Sequence, residues 1–253
     1  MNLLRKESIV IASNTINPSQ RRAAKVAGLS FVFAIVIVIF SNYNVNFRFI
    51  IPNNAVDTAR NILVHETLFR INIVSNLIYL VTLIVLFTSL YVILKPLNMN
   101  LALIAIFLRL LYALMWGFMA LNTLAAIRLL GDASYLPVFE ENQLQTLSRL
   151  HLSNSWDAYY VGLPFWGLAS VVCSFLFFKS NYIPRALAIF GLVSSIWCVF
   201  CGFTFLIFPN FGETVNLYLY DMPLVIFEIT LGSWLLFKGL RPVGVAHPNL
   251  VNQ

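Results

Sequence analysis

Long apolar runs alternate along the chain with short polar breaks. Six runs are long enough to cross a bilayer, at residues 23–41, 69–94, 99–127, 156–178, 185–208 and 217–237. A spanning helix needs about 20 residues. The third run is long enough to tilt or pass the interface. Pro96 and Pro184 punctuate the tight breaks "KPLNMN" and "KSNYIP", since proline cannot continue a helical hydrogen-bond ladder. The pattern predicts an all-α fold: a polytopic integral membrane bundle of six transmembrane helices.

Two longer breaks, 42–68 and 131–155, are predicted to carry short amphipathic helices. In the first, Asn54 is placed as an N-cap, with Asp57 in the first turn where the helix dipole favours a carboxylate. In the second, Leu144, Leu147 and Leu150 recur every three residues with Glu, Gln and Arg opposite. That spacing predicts a short helix lying at the membrane surface. Both elements would sit above the bundle, as a lid or as covers over helix ends.

Composition agrees with the pattern. The chain of 253 residues is 60% hydrophobic and 10% charged, with a mean hydropathy of +0.83, whereas soluble domains carry about 25% charged residues. The net charge of +6 does not require a nucleic-acid partner, because the placement of the cations accounts for it. Arg5, Lys6, Arg21, Arg22, Lys25, Lys95, Lys179, Arg185, Lys238 and Arg241 all fall on one side if six helices alternate. Most acids, among them Asp57, Asp132, Glu140, Glu141 and Glu213, fall on the other. The positive-inside rule then places both termini in the cytoplasm. Residues 1–22 form a cytoplasmic segment, 23–240 one transmembrane domain, and 241–253 a cytoplasmic tail. The N-terminus lacks a cleavable signal pattern, so the first span stays as an anchor. Spans two, four and six end as "YVILKP", "FLFFKS" and "WLLFKG". This hairpin-like recurrence is consistent either with internal repeats or with a topological need for lysine at each turn.

Charges inside the apolar runs carry the candidate chemistry. A central arginine costs about 2.5–3.5 kcal/mol on insertion scales, so it faces a partner or a wet cavity. Arg109 and Glu228 each lie about ten residues from the same membrane face, or roughly 15 Å deep. Matching depth and opposite charge predict a buried ion pair, which would either clip helices together or line a site. Nearer the opposite face, Glu66 and Arg70 stand at i and i+4 with Asn72 and Asn76 below them, while Asp157, Tyr159, Tyr160, Tyr220 and Asp221 open spans four and six. His65 and His151 would be metal ligands only in the absence of a simpler role, since no recognised ligand spacing accompanies them. Headgroup-level hydrogen bonding is the plainer role for this polar belt. Cys198 and Cys201 share a helix face as small packing residues, and Cys173 lies in another apolar run. The chain has no GxSxG, Walker A, GxGxxG or haem-attachment motif, and no cofactor is expected.

The stretches "ETLFRINIVSNL", "LYVILKPLNMNLALIAIFLRLLYA", "YLPVFEENQLQTLSRL", "GLPFWGL" and "MPLVIFEITLGSWLLFKGL" resemble domain-of-unknown-function family 4386, a bacterial membrane family, from about Ala23 to Leu240. The resemblance implies a multi-helix protein of a bacterial inner membrane and supplies no activity, substrate or cofactor. "HLSNSWDAYYVGLPFWGL" departs somewhat from the family pattern, which weakens a role for His151.

Three functions fit these residues. The first is binding or movement of a small or lipid-like ligand through a polar intramembrane site. Arg109 would meet an anionic group or hold Glu228, with Glu228 as the proton-responsive partner. The second is an intramembrane enzyme on a lipid or isoprenoid, with Glu228 or Asp221 in acid–base chemistry. The third is a structural or accessory subunit without a site. Six helices are few for a lone secondary transporter, so a homo-oligomer is a candidate assembly.

Overall fold

A computed structural model describes residues 16–208 and 210–242. Those residues are helical throughout their ordered elements, with no strand among them. Arg5, Lys6 and most of the tail expected to be cytoplasmic lie outside the described residues.

The elements are α1 (Pro18–Ile39), α2 (Ala55–Val64), α3 (Glu66–Leu94), α4 (Met99–Leu129), α5 (Glu141–Ser180), α6 (Arg185–Ile207) and α7 (Leu217–Phe237). All but the ten-residue α2 are long and apolar enough to cross a membrane. Helix α1 packs on α3 and α7, and the chain then pairs α3 with α4, α4 with α5, α5 with α6, and α6 with α7. The six spans therefore close a ring in chain order. Arg21, Arg22, Lys25, Lys95, Lys179, Arg185, Lys238 and Arg241 gather at one end, here the basic end, and the long connections lie at the other, the loop end.

Local chemistry sets the boundaries. Helix α1 begins ahead of residue 23 because Asn17 caps it. The Asn17 Oδ1 accepts from the Ser19 amide at 3.1 Å, and the Asn17 amide donates to Gln20 Oε1 at 3.0 Å. Pro18 sits at the first helical position, where a missing N–H costs nothing. The buried Gln20 then ties the basic end together, donating to Ile93 O at 3.1 Å and to the Tyr182 hydroxyl at 3.3 Å. At its far end α1 continues into a π-helical segment, Phe40–Asn46, and a single turn, Phe47–Phe49. Asn54 caps α2 as its sequence predicts, accepting from the Asp57 amide at 2.9 Å.

The surface helix predicted within 131–155 is not separate. It is the beginning of α5, which runs unbroken for 40 residues. The polar stretch "HLSNSWD" reads as a loop, but its side chains are spent on α4. Ser148 donates to Ala126 O at 3.0 Å and Ser155 to Met119 O at 3.3 Å, while His151 Nδ1 lies 3.0 Å from Asn122 Oδ1. Such interhelical bonds satisfy polar groups without ending a helix. Helix α2 packs against the start of α5. There Ile62 and Leu152 join Val45, Phe49, Phe69, Ala126 and Ile127 in a small core at the loop end. Helix α2 is thus a cover packed on the bundle.

Two contacts fix α7. An ideal Cβ on Gly28 of α1 would lie 2.6 Å from the Leu236 amide nitrogen and 2.7 Å from Gly232 O, so α1 and α7 touch backbone to backbone toward the basic end, as small residues permit. Pro223 inside α7 cannot donate to the carbonyl four residues earlier. That carbonyl, Leu219 O, instead accepts from Trp197 Nε1 of α6 at 3.0 Å.

Candidate functional site

The ring of helices encloses a cavity of about 450 Å³, lined from α1, the π-helical segment, α3, α4, α5 and α7. It holds Arg109 and Glu228 together. Arg109 is 3% exposed, and its Nη1 and Nη2 both donate to Glu228 Oε1, each at 3.1 Å. Nη2 also donates to Ser170 Oγ at 2.5 Å, and the guanidinium stands 5.1 Å over the Phe87 ring. Trp166 Nε1 adds a third bond to Glu228 Oε1, at 2.8 Å.

The geometry is unlike an arginine fork that grips both carboxylate oxygens. All three donors converge on Oε1, and among the described residues none reaches Oε2. The Glu228 side chain keeps 14% of its surface open and lines the cavity. Sequence depth located the pair; it did not reveal Ser170 and Trp166, which depend on which face of α5 turns inward.

Asp221 lines the same cavity from α7, seven residues before Glu228 and hence on the same face. Its Oδ2 accepts from the Tyr159 hydroxyl at 3.1 Å, and its Oδ1 is buried with no hydrogen-bond partner. Aromatic rings form the wall beside it. Trp116 lies 4.2 Å from Tyr79 and 6.5 Å from Tyr159, centroid to centroid, the second pair at 86°. Tyr112 stacks on Trp166 at 5.7 Å. Apart from Tyr159, which the polar belt includes, the sequence does not single out these rings, because in a membrane helix an inward aromatic and a lipid-facing one look alike. Burial separates them: Trp116 is 2% exposed, Tyr112 3% and Tyr79 7%.

The cavity lining includes outer-surface residues of α1 and α7. These helices touch at Gly28 and Gly232 toward the basic end, and nearer the loop end Ile35, Val38 and Ile39 of α1 and Met222, Val225 and Ile229 of α7 line the cavity. Ile39, Met222 and Ile229 are exposed. At the loop end, Phe47 lines the cavity and stacks on Trp156 at 5.7 Å. The π-helical segment contributes Asn42 and Tyr43 to the lining. It is held to α3 by Ser41, which donates to Asn76 Oδ1 at 3.1 Å, and by Asn72, which donates to Asn46 Oδ1 at 3.2 Å.

The remaining candidates lie elsewhere. Glu66 and Arg70 form an ion pair of 2.7 Å on the surface, beside a separate recess of about 330 Å³ with Arg128, Asp132 and Tyr135. Asp157 is exposed and outside the cavity lining. Asn76 supports the π-helical segment from behind the wall. His65 Nδ1 lies 3.1 Å from Asn61 O with its ring against Phe49, and His151 faces Asn122. Among the described residues no three His, Cys, Asp or Glu side chains converge. Cys173, Cys198 and Cys201 are buried, unbridged packing residues.

Fold and site together define a polytopic membrane bundle with an interior cavity, mostly apolar, that holds Arg109, Asp221 and Glu228. The chain matches the family model described as "Domain of unknown function (DUF4386)" over residues 26–239, and it belongs to that family. No curated protein and no solved structure matches the chain.

Proposed function

We propose that this protein binds a small lipid-like molecule within the bilayer, admitting it sideways between α1 and α7. The observation that carries this reading is the cavity itself. Its volume of about 450 Å³ falls within the usual range for ligand sites, about 300–1,000 Å³. Its opening is apolar and its interior holds Arg109, Asp221 and Glu228, so it is suited to a molecule with a hydrocarbon part and a polar group. Arg109 spends Nη1 and Nη2 on Glu228 and Ser170, while its Nε is buried without a partner; the terminal nitrogens are thus used in holding Glu228 rather than in meeting an anionic ligand. The protein is proposed to sit in a bacterial inner membrane with its N-terminus cytoplasmic, a placement supported by the cations of the basic end.

A second reading, an intramembrane enzyme acting on a lipid or isoprenoid, is favoured by the two carboxylates on one face of α7. Asp221, with one donor, would be its acid–base group, since Glu228 Oε1 is already engaged by three donors.

Native mass spectrometry of the purified protein, with lipid extraction of the same sample, tests the binding reading. A retained lipid-like mass is expected, reduced by substituting Val225→Trp in the opening. Release of the bare protein with nothing extractable would overturn it.

A further inference from the structure

The charges of the cavity do not balance. Its lining holds one cation, Arg109, and two carboxylates, Glu228 and Asp221. Arg109 is committed to Glu228, so Asp221 is left with a single tyrosine donor and an unpartnered buried oxygen. A carboxylate in a low-dielectric interior needs a counter-charge or a proton. Beside it, Tyr79, Trp116 and Tyr159 give the lining three adjacent aromatic rings, Trp116 packed on Tyr79 at 4.2 Å and close to perpendicular to Tyr159. Electron-rich aromatic rings attract quaternary ammonium groups.

We propose that the cavity receives a cationic amphiphile, its ammonium group seated between Asp221 and the rings of Tyr79, Trp116 and Tyr159, and its alkyl chain leaving between α1 and α7. This rests on the binding reading above and names the class of ligand. The apolar lining residues of α1 and α7, Ile35, Val38, Val225 and Ile229, would lie along the chain. The Arg109–Glu228 pair closes the inner side and holds Glu228 in place without supplying an unspent positive charge to repel the ligand.

The test uses the full-length protein in lipid nanodiscs and reads tryptophan fluorescence, to which Trp116 and Trp166 of the cavity wall contribute. The probes are dodecyltrimethylammonium, its neutral isostere with a tert-butyl head, dodecyl phosphate, and tetramethylammonium. The ammonium amphiphile is expected to bind at least tenfold more tightly than the neutral isostere, and Asp221→Asn to bring that ratio close to one. Because the comparison between probes is made on the unsubstituted protein, it stands even if a variant fails to fold. Equal binding of the charged and neutral amphiphiles overturns the ammonium assignment while leaving the lipid-like binding intact. Tighter binding of the phosphate overturns it in favour of Arg109. An unchanged preference in a folded Asp221→Asn protein removes Asp221 from the site, as expected were that residue a neutral, protonated group. Tetramethylammonium binding as tightly as the long-chain ion overturns the chain's placement between α1 and α7. Binding of none of the probes overturns both this inference and the reading on which it rests.

Discussion

Replacing Arg109 with leucine tests the buried network most sharply. The substitution removes two donors from Glu228 Oε1, each at 3.1 Å, and leaves Trp166 at 2.8 Å as its only hydrogen-bond partner. It also strands an ionised group in a site where the lost partner was 3% exposed. An ordinary interhelical bond in a membrane protein averages about 0.6 kcal/mol, so counting the three bonds lost, the one to Ser170 included, predicts a loss of about 2 kcal/mol. Breaking a buried ion pair from one side costs more, about 3–5 kcal/mol, because the other charge stays behind. The larger figure is expected here. Reversible unfolding in mixed lipid–detergent micelles, followed by near-UV ellipticity, gives the value. The double variant Arg109→Leu with Glu228→Leu should recover part of the loss, since no charge is then stranded. Exchanging the two residues should not restore stability: an arginine at 228 would face the Trp166 N–H with no lone pair to offer. A loss of about 2 kcal/mol or less for Arg109→Leu, no more than the bonds alone would give, would refute the reasoning, as would full recovery in the exchanged protein.

Three further outcomes follow from individual contacts. Gly28→Leu places a side chain where the α7 backbone stands 2.6 Å from an ideal Cβ, and overpacking of this kind costs about 1–3 kcal/mol; thermal unfolding in detergent should fall, with Leu29→Ala on the lipid-facing side as a control. Trp197→Phe removes the 3.0 Å bond that serves the carbonyl freed by Pro223, and should lower stability by about 1 kcal/mol in the same unfolding measurement. Cys173, Cys198 and Cys201 are at most 5% exposed, so a maleimide should label them only after unfolding, and rapid labelling of the native protein by mass spectrometry would contradict their packing.

Much of the architecture was legible because a bilayer allows few solutions. Spans, tight turns and the gathering of cations at one end follow from run length and the positions of lysine and arginine. Depth along α4 and α7 was also legible, since helical rise is fixed, and it paired Arg109 with Glu228. Rotation about the helix axis was not. In water an inward face announces itself by being apolar, but every face of a spanning helix is apolar, so nothing distinguished buried Trp116 from exposed Phe107. For the same reason Asp157 and Asp221, two carboxylates near one end, read alike, although one faces outward and the other lines the cavity. The start of α5 was misread for a different reason. Its serines and histidine resemble loop residues until α4 is seen to supply their partners. Asn17 and Pro18, by contrast, form a start signal that was present in the sequence ahead of the apolar run.

Photolabelling tests most directly whether lipid-like molecules reach the cavity between α1 and α7. The protein would be irradiated in vesicles containing a phospholipid with a diazirine in its acyl chain, and the adducts mapped by peptide mass spectrometry. Adducts on the buried cavity residues Tyr112 and Trp116, 3% and 2% exposed, are expected alongside those on the outer surface, and Val225→Trp should suppress the buried set alone. Labelling confined to outward residues such as Phe107, Leu121 and Val193 would contradict a cavity open to the membrane.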